Sequence, residues 1–362
     1  LLIRLQRYNM IDVRVNWKNV KKDRYRVKEL LSYKRSISLV VGERRVGKTF
    51  EILLTLILDA LRREQLTFTW WRLTKIEYDA CKQDFFNDMT AFNIFPDYSF
   101  KVVGNYGYAT YTKDGSSFPI CYLGYLKNHQ TIKGVPFPYV RTNVVDEWFE
   151  EEGKSKIKKK VTMLHSINYS IFELRKIRCI LIGNAVTIDD PIFKSYDITN
   201  IDRPFTKNRN IVVENTDKEK KYEAFKKQAK ESSFGQLVSG TEYGDYALNN
   251  KFLLDDYTKI NPTIKVTVKN KAITSFSLEN HIIALYQIDN FFYLKEVKKP
   301  IAPCITPFTN EANKDIIYMR SSDLTYKKLF KMLLTKPYYF DSIYSQNLIY
   351  NLLNKSLSNM AN

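Results

Sequence analysis

Apolar positions in this chain follow two different periods. Residues 36–41 (SISLVV) are a short, nearly continuous apolar run rich in β-branched side chains, which predicts a strand buried on both faces. From Thr49 to Arg63 leucine and isoleucine recur every three or four positions, which predicts an amphipathic helix. The same reading predicts a strand over 67–73 and a helix over 78–92 that ends near the Phe95-Pro96-Asp97 turn. A meander follows at 100–103, 108–111 and 118–122, then a strand over 139–145 closed by Asp146-Glu147, a helix over 161–174 and a strand over 178–183. Strands alternating with helices to about residue 200 predict an α/β domain with a parallel, doubly wound sheet.

Residues 206–234 change character. The stretch NTDKEKKYEAFKKQAKESS predicts an exposed charged helix, so 206–235 is the expected linker between a domain over 1–205 and a smaller one over 236–362. In the latter, strands are expected at 263–268, 272–278, 282–288 and 291–297, and helices at 324–334 and 343–357. This predicts an α+β unit with its meander first.

Composition is that of an ordinary globular protein, 44% hydrophobic and 27% charged, but the formal net charge is +18. Charge of that size repels itself in a compact state and points to a polyanionic partner, nucleic acid ahead of an anionic membrane surface. Basic residues exceed acidic ones by 14 over 1–235 and by 4 over 236–362, so the first part carries most of that signal. The four cysteines have no CxxC spacing and stand beside only three histidines. That pattern speaks against a zinc site or a disulfide framework and for a reducing compartment. The apolar segment ILLTLILDAL (52–61) is too short to span a bilayer, and no membrane association is expected. The first methionine is Met10, and residues 1–9 are expected to lie upstream of the natural start.

Residues 42–49 (GERRVGKT) fit the pattern G-x-x-x-x-G-K-[ST]. In such a loop Gly42 and Gly47 let the backbone N–H groups of the Arg44, Arg45 and Val46 turn point inward. Lys48 reaches the β- and γ-phosphates, and Thr49 offers its hydroxyl to Mg²⁺ at a helix start. Two arginines beside a lysine are tolerable because a triphosphate supplies the missing charge. A P-loop needs an acidic strand end, and Asp146 is the expected Mg²⁺ partner, with Glu147 polarising the attacking water. Nucleotide kinases do not need that second acid; ATPases that do mechanical work commonly have it. Asp146 follows Lys48 by 98 positions, which leaves room for an extra strand between the two motifs, the layout of the additional-strand (ASCE) ATPases. No Asn-Lys-x-Asp motif for guanine is present, so ATP is favoured over GTP.

Further candidates surround this pair. Asn184, at the end of the following strand, is a candidate sensor of the γ-phosphate. Lys133, Arg175, Arg178 and Arg72 are candidates for a late-arriving cation, supplied in trans by a neighbouring subunit. The run Lys154, Lys156, Lys158, Lys159 and Lys160 is a candidate DNA grip hinged on Glu147. A two-metal nuclease in the second domain is not expected, since its strands offer only Glu296 near an end, with Glu279 and Asp289 in turns.

These motifs, with Leu31-Ser32-Tyr33, Val145-Asp146-Glu147, Arg178-Cys179-Ile180, Asn184-Ala185-Val186 and Gly240-Thr241-Glu242-Tyr243-Gly244, resemble the DNA-packaging ATPases of phi29-type tailed bacteriophages, which are terminase large subunit-like encapsidation proteins. The resemblance implies a homo-pentameric ring in the cytoplasm of the infected bacterial host. That ring docks through a structural packaging RNA on the portal of a prohead and drives double-stranded DNA inward with ATP. It also implies a C-terminal domain that is an RNase H-like relic of a nuclease. The family's trans-acting arginine falls on Phe172 here, a departure that leaves the trans cation to Lys133, Arg175 or another residue. A helicase of another ASCE class and a non-hydrolysing, ATP-dependent nucleic-acid-binding adaptor are the alternative readings.

Overall fold

The computed structural model of the protein describes residues 11–20, 24–42, 46–150, 157–184, 190–199, 201, 203–239, 259–320, 323, 328, 331–332 and 335–358. The chain divides into two compact units, one holding the described residues up to Ser239 and the other those from Lys259 onward.

The first unit runs α1 (Lys28–Ser32), β1 (Ile37–Val41), α2 (Lys48–Arg63), β2 (Phe68–Arg72), α3 (Lys75–Lys82), α4 (Asn87–Ala91), β3 (Tyr98–Val103), β4 (Tyr106–Tyr111) and β5 (Ser117–Tyr125). It continues with β6 (Thr142–Val145), α5 (Lys160–Phe172), β7 (Cys179–Ile182), α6 (Pro191–Ser195), β8 (Phe205–Lys207), β9 (Ile211–Asn215), α7 (Glu223–Glu231) and α8 (Ser233–Val238). Nine strands form one sheet in the order β3-β4-β5-β2-β6-β7-β1-β9-β8. The six from β5 to β9 are mutually parallel, and antiparallel pairs close both edges. Every residue of β1, β6 and β7 is buried, as expected of central strands covered on both faces, and the one buried amide among them, Asn143, is satisfied by the hydroxyl of Thr69 and the side chain of Asn168. The apolar stripe of α2 (Ile52, Leu53, Leu56, Ile57, Ala60, Leu61) packs on Val40, Phe68, Trp70, Val144 and Ile180 in one core. Each fully buried aliphatic side chain in that stripe contributes roughly 1.5–3 kcal/mol.

Several expectations change. The strand that lies between β1 and β6 is β7, which follows Asp146 in the chain. The chain between the motifs instead builds β2 to β5 on the far side of β6, so the additional-strand layout is present for a different reason from the spacing argument. The helix expected over 78–92 is two short ones. Phe85 and Phe86 break it, because adjacent aromatics that both pack inward, their ring centroids 4.8 Å apart, cannot share one helical stripe. The expected linker begins inside the sheet: β9 pairs in parallel with β1 along Ile37↔Ile211 to Val41↔Asn215, and only α7 matches the charged helix. The charged run that suggested a linker begins only after β9, the last strand of this sheet, and the chain of the first unit continues past it.

The second unit has a six-stranded sheet in the order β14-β13-β10-β11-β12-β15. Its strands are β10 (Ala272–Leu278), β11 (His281–Ile288), β12 (Phe291–Val297), β13 (Cys304–Thr306), β14 (Ile316–Tyr318) and β15 (Tyr338–Phe340). The three-stranded meander matches expectation; the parallel additions β13, β14 and β15 are too short to show a period. Residues 264–267 are irregular where a strand was expected. The side chain of Asn270 accepts from both the backbone and the hydroxyl of Thr267 and closes a turn there. Most of the helix expected over 324–334 lies outside the described residues, and the one expected at 343–357 is Ile343–Ser358, which packs Leu348, Ile349 and Leu352 on the sheet.

Candidate active site

Three adjacent strands, β1, β7 and β6, end on the same side of the sheet and deliver the candidate residues there. The turn after β1 requires glycine at both ends. Gly42 has φ +144°, and a Cβ on it would lie 1.8 Å from the buried hydroxyl of Thr216. Gly47 has φ +92° and leads directly into α2 at Lys48. Lys48 is buried, and its ammonium donates to the Gly42 carbonyl at 2.7 Å and to Asn184 Oδ1 at 3.3 Å. The lysine therefore joins the loop to the end of β7. Arg44 and Arg45 lie outside the described residues; Val46 is buried and its carbonyl accepts from the Tyr25 N–H at 3.0 Å.

At the end of β6, Asp146 is buried and accepts from Thr49 Oγ1 at 3.3 Å and from the Glu147 N–H at 3.0 Å. Burial, with Glu147 adding to it, pushes the Asp146 carboxyl above the usual carboxylate range, and Arg72 opposes that push. Glu147 takes a left-handed backbone (φ +55°), which turns its exposed side chain away from the strand direction. Arg72, the last residue of β2, binds Asp146 Oδ2 and Glu147 Oε2 at 3.1 Å each. It was one of four candidate cations in the sequence; its position beside β6 gives it both acids.

Gly47, Lys48, Thr49, Asp88, Asp146, Glu147, Gly183 and Asn184 line one cleft of about 320 Å³. A second hollow of about 240 Å³ shares Gly47 and Phe50 with it and is walled by Val20, Tyr25 and Phe92. Phe92 is half exposed there, edge-on to Phe50 with centroids 6.3 Å apart. The lead-in chain is fastened in place by Asn16 Nδ2 and Asn19 Nδ2, which donate to the carbonyls of Asn93 and Phe92. Sequence reading missed this hollow, because its walls come from segments some seventy residues apart.

Thr49 and Asp146 present hard oxygen donors 3.3 Å apart, close enough to share one Mg²⁺ at the usual ~2.1 Å from each. Among the described residues no cluster of three or more His, Cys, Asp or Glu could hold a metal by itself. Magnesium bound mainly through phosphates and water needs no such cluster.

Other candidates fall elsewhere. Lys133 is exposed in a turn and does not line the cleft. Arg175 uses its guanidinium to hold the carbonyls of Phe137, Pro138 and Val140, so it braces the loop before β6. Lys154 and Lys156 lie outside the described residues, and Lys158 and Lys159 are exposed. Lys160 is a correction to the proposed grip. Its side chain is 1% exposed and pairs with Glu150 and with Asp190 at 2.6 Å, while also donating to the Trp148 carbonyl. A buried ammonium between two carboxylates has no charge to offer DNA. In the second unit, Glu296 Oε1 accepts from His281 Nδ1 at 2.7 Å, the Glu296 N–H donates to Asp341 Oδ2, and the Ser277 hydroxyl donates to Glu311. No helix among the described residues is long and apolar enough to cross a membrane.

Comparison with known proteins agrees with this architecture. The family model for the podovirus DNA encapsidation protein (Gp16) matches residues 20–357. The DNA packaging proteins of Bacillus phages PZA and phi29 are each 25% identical over 339 residues, covering 91% of this chain and 97% of theirs. That of Bacillus phage B103 is 30% identical over 229 residues, 62% of this chain and 67% of its own. A chain of the bacteriophage Phi-29 viral genome packaging motor assembly superposes with a TM-score of 0.65 at 23% identity, covering 92% of this chain and 99% of that one, a likeness of fold. With a family match spanning nearly the whole chain, this protein belongs to the podovirus DNA encapsidation protein (Gp16) family.

Proposed function

We propose that the cleft at the ends of β1, β6 and β7 binds and hydrolyses Mg-ATP, and that hydrolysis drives double-stranded viral DNA into a prohead. One observation carries the reading: Lys48, Thr49, Asp146, Glu147 and Asn184 converge on a single cleft although they come from three strand ends spread over more than 130 residues of the chain. Lys48 would neutralise the β- and γ-phosphates, and the N-terminal N–H groups of α2 would add to that field. Thr49 and Asp146 would hold Mg²⁺, whose chemistry is to neutralise charge on the phosphate oxygens. Glu147, exposed to the cleft, would accept the proton of the attacking water, and Asn184 would report the γ-phosphate to Lys48 and the β7 loop. The apolar hollow beside Phe50 and Phe92 would take the adenine.

The +18 charge supports a nucleic-acid partner, and family membership supports a packaging role. A homo-oligomeric ring, of five subunits by resemblance, and docking through packaging RNA and portal extend that reading. For the second unit, a nuclease relic extends the same reading by resemblance. The test is packaging of duplex DNA into proheads with ATP, beside phosphate release. Lys48→Ala should lose ATP binding and packaging together, while Glu147→Gln should keep ATP binding and lower hydrolysis by roughly 10²–10⁴-fold. Undiminished hydrolysis in Glu147→Gln would remove the glutamate from its role.

A further inference from the structure

Four neighbouring parallel strands each begin one or two residues after an arginine. Arg141 precedes β6, Arg178 precedes β7, Arg35 precedes β1 and Arg209 precedes β9, and the sheet order β6-β7-β1-β9 makes these strands successive neighbours. The registers Asn143↔Cys179, Ile37↔Cys179 and Ile37↔Ile211 bring their starts level. The arginines therefore stand in a row along the N-terminal edge of the sheet, spanning three strand spacings, about 14 Å. The nucleotide cleft is at the opposite, C-terminal edge.

An open cleft of about 740 Å³ runs along this edge. Its lining includes Lys34, Arg35, Arg141, Lys176 and Arg178, and Arg63 and Arg175 besides, with no acidic residue. Two of these seven have structural work. Arg63 pairs with Asp59 in the last turn of α2, and Arg175 holds carbonyls after α5, both where a helix C-terminus favours a cation. That explanation does not reach the others. Lys34, Lys176 and Arg178 are exposed and make no ion pair among the described residues. Arg141 is half exposed and meets Asp59 at 3.8 Å. Arg35 gives a long 3.4 Å bond to the Arg209 carbonyl, and its Nε is buried with no partner. The Arg35 guanidinium thus pairs with no carboxylate among the described residues and stands among like charges, and an anion at the exposed end of the group would offset its charge.

We propose that this row and its cleft bind the phosphate backbone of a nucleic acid without reading its sequence. The cations are spread over four strand ends and do not converge on one point, which suits a chain of phosphates better than a single small anion. Tyr139, 54% exposed at the same cleft, adds a ring on which a sugar or base can rest. The packaging reading bears only on which nucleic acid is held, duplex DNA or a structured RNA; the phosphodiester chemistry is common to both.

The experiment measures affinity of the full chain for a short DNA duplex and for a hairpin RNA across a salt series. The variant is Arg35→Gln/Arg141→Gln/Arg209→Gln, with ATP affinity as the check that the fold survives. The logarithmic salt slope is expected to fall by about 0.9 per lost phosphate contact on DNA, with affinity at low salt down ten-fold or more on at least one of the two nucleic acids. The matching Arg→Lys variant should keep most of the slope. Slopes and affinities unchanged on both would overturn the proposal, as would displacement of either nucleic acid from the wild type by inorganic pyrophosphate alone at equal phosphate concentration. Should the glutamine variant misfold, protection of Lys34 and Lys176 from amine modification in the wild type decides the matter: bound nucleic acid should shield both, and no shielding sinks the row. A wild type that binds neither nucleic acid defeats the packaging reading as well, whereas normal binding by wild type and variant alike defeats the row alone.

Discussion

Arg72 and Asp146 form a nearly buried ion pair at 3.1 Å, and the same guanidinium reaches Glu147 at the same distance. The two halves of this fork differ in weight. Glu147 is 55% exposed, so its half is worth at most ~1 kcal/mol, whereas Asp146 is 3% exposed and cannot be left without a counter-charge. Arg72→Ala should therefore cost roughly 3–5 kcal/mol, almost all of it through Asp146. On the proposed function Mg-ATP would bring a second counter-charge to Asp146, so the melting-temperature gain on adding it should be larger in the variant than in the wild type. Equal gains would show that Arg72 and the ligand do not share the acid.

Lys160→Ala should be strongly destabilising, by about 3–5 kcal/mol, because it strands the carboxylates of Glu150 and Asp190 in the interior. Lys158→Gln and Lys159→Gln, on exposed side chains, should stay within ~0.5 kcal/mol of wild type. Chemical denaturation of the three variants checks this. A mild Lys160 variant would mean that the burial of its ammonium is not maintained in solution.

Phe92→Ala should weaken ATP binding several-fold and leave tripolyphosphate binding unchanged, since the phenyl ring lines only the apolar hollow. Calorimetric titration with both ligands makes the comparison. Equal loss for the two would place the ring's effect on the phosphate loop instead.

Glu214 sits in β9 with its carboxylate taking the Tyr25 hydroxyl at 2.7 Å. Burial, with Glu219 alongside, raises its carboxyl well above the ordinary 4.5, and the Tyr25 bond only partly opposes this. The native protein thus holds a proton that the unfolded chain releases. Its stabilising contribution is complete below the unfolded value and is lost as pH climbs toward the native one. Melting temperature should fall with rising pH across the neutral range, and Glu214→Gln should flatten that slope. A slope unaltered in the variant would assign the pH dependence to other groups.

The parts of this molecule legible in the sequence are those set by local pattern. β1 and α2 carry their burial in their own periodicity, and the glycines between them answer to a tight turn, so strand, loop and helix could be placed together. What was illegible depends on which strands become neighbours. Nothing near Arg72 in the chain shows that β2 will lie beside β6, and the task of Arg72 follows from that pairing. The sequence likewise cannot show that β7 inserts between β1 and β6, or that IVVEN at 211–215 adds to the far side of β1 and is no part of a linker. Lys160 reads as one more member of a basic run; its burial comes from α6, whose N-cap Asp190 arrives from thirty residues downstream.

That lysine also has a mechanical consequence. Glu150 lies three residues beyond Glu147, Asp190 six beyond Asn184, and both grip the first residue of α5. The segments that follow β6 and β7 are thus yoked through a single nitrogen at the head of a helix, so a displacement of one is handed to the other as a tug on α5, with exposed Lys158 and Lys159 riding at its tip.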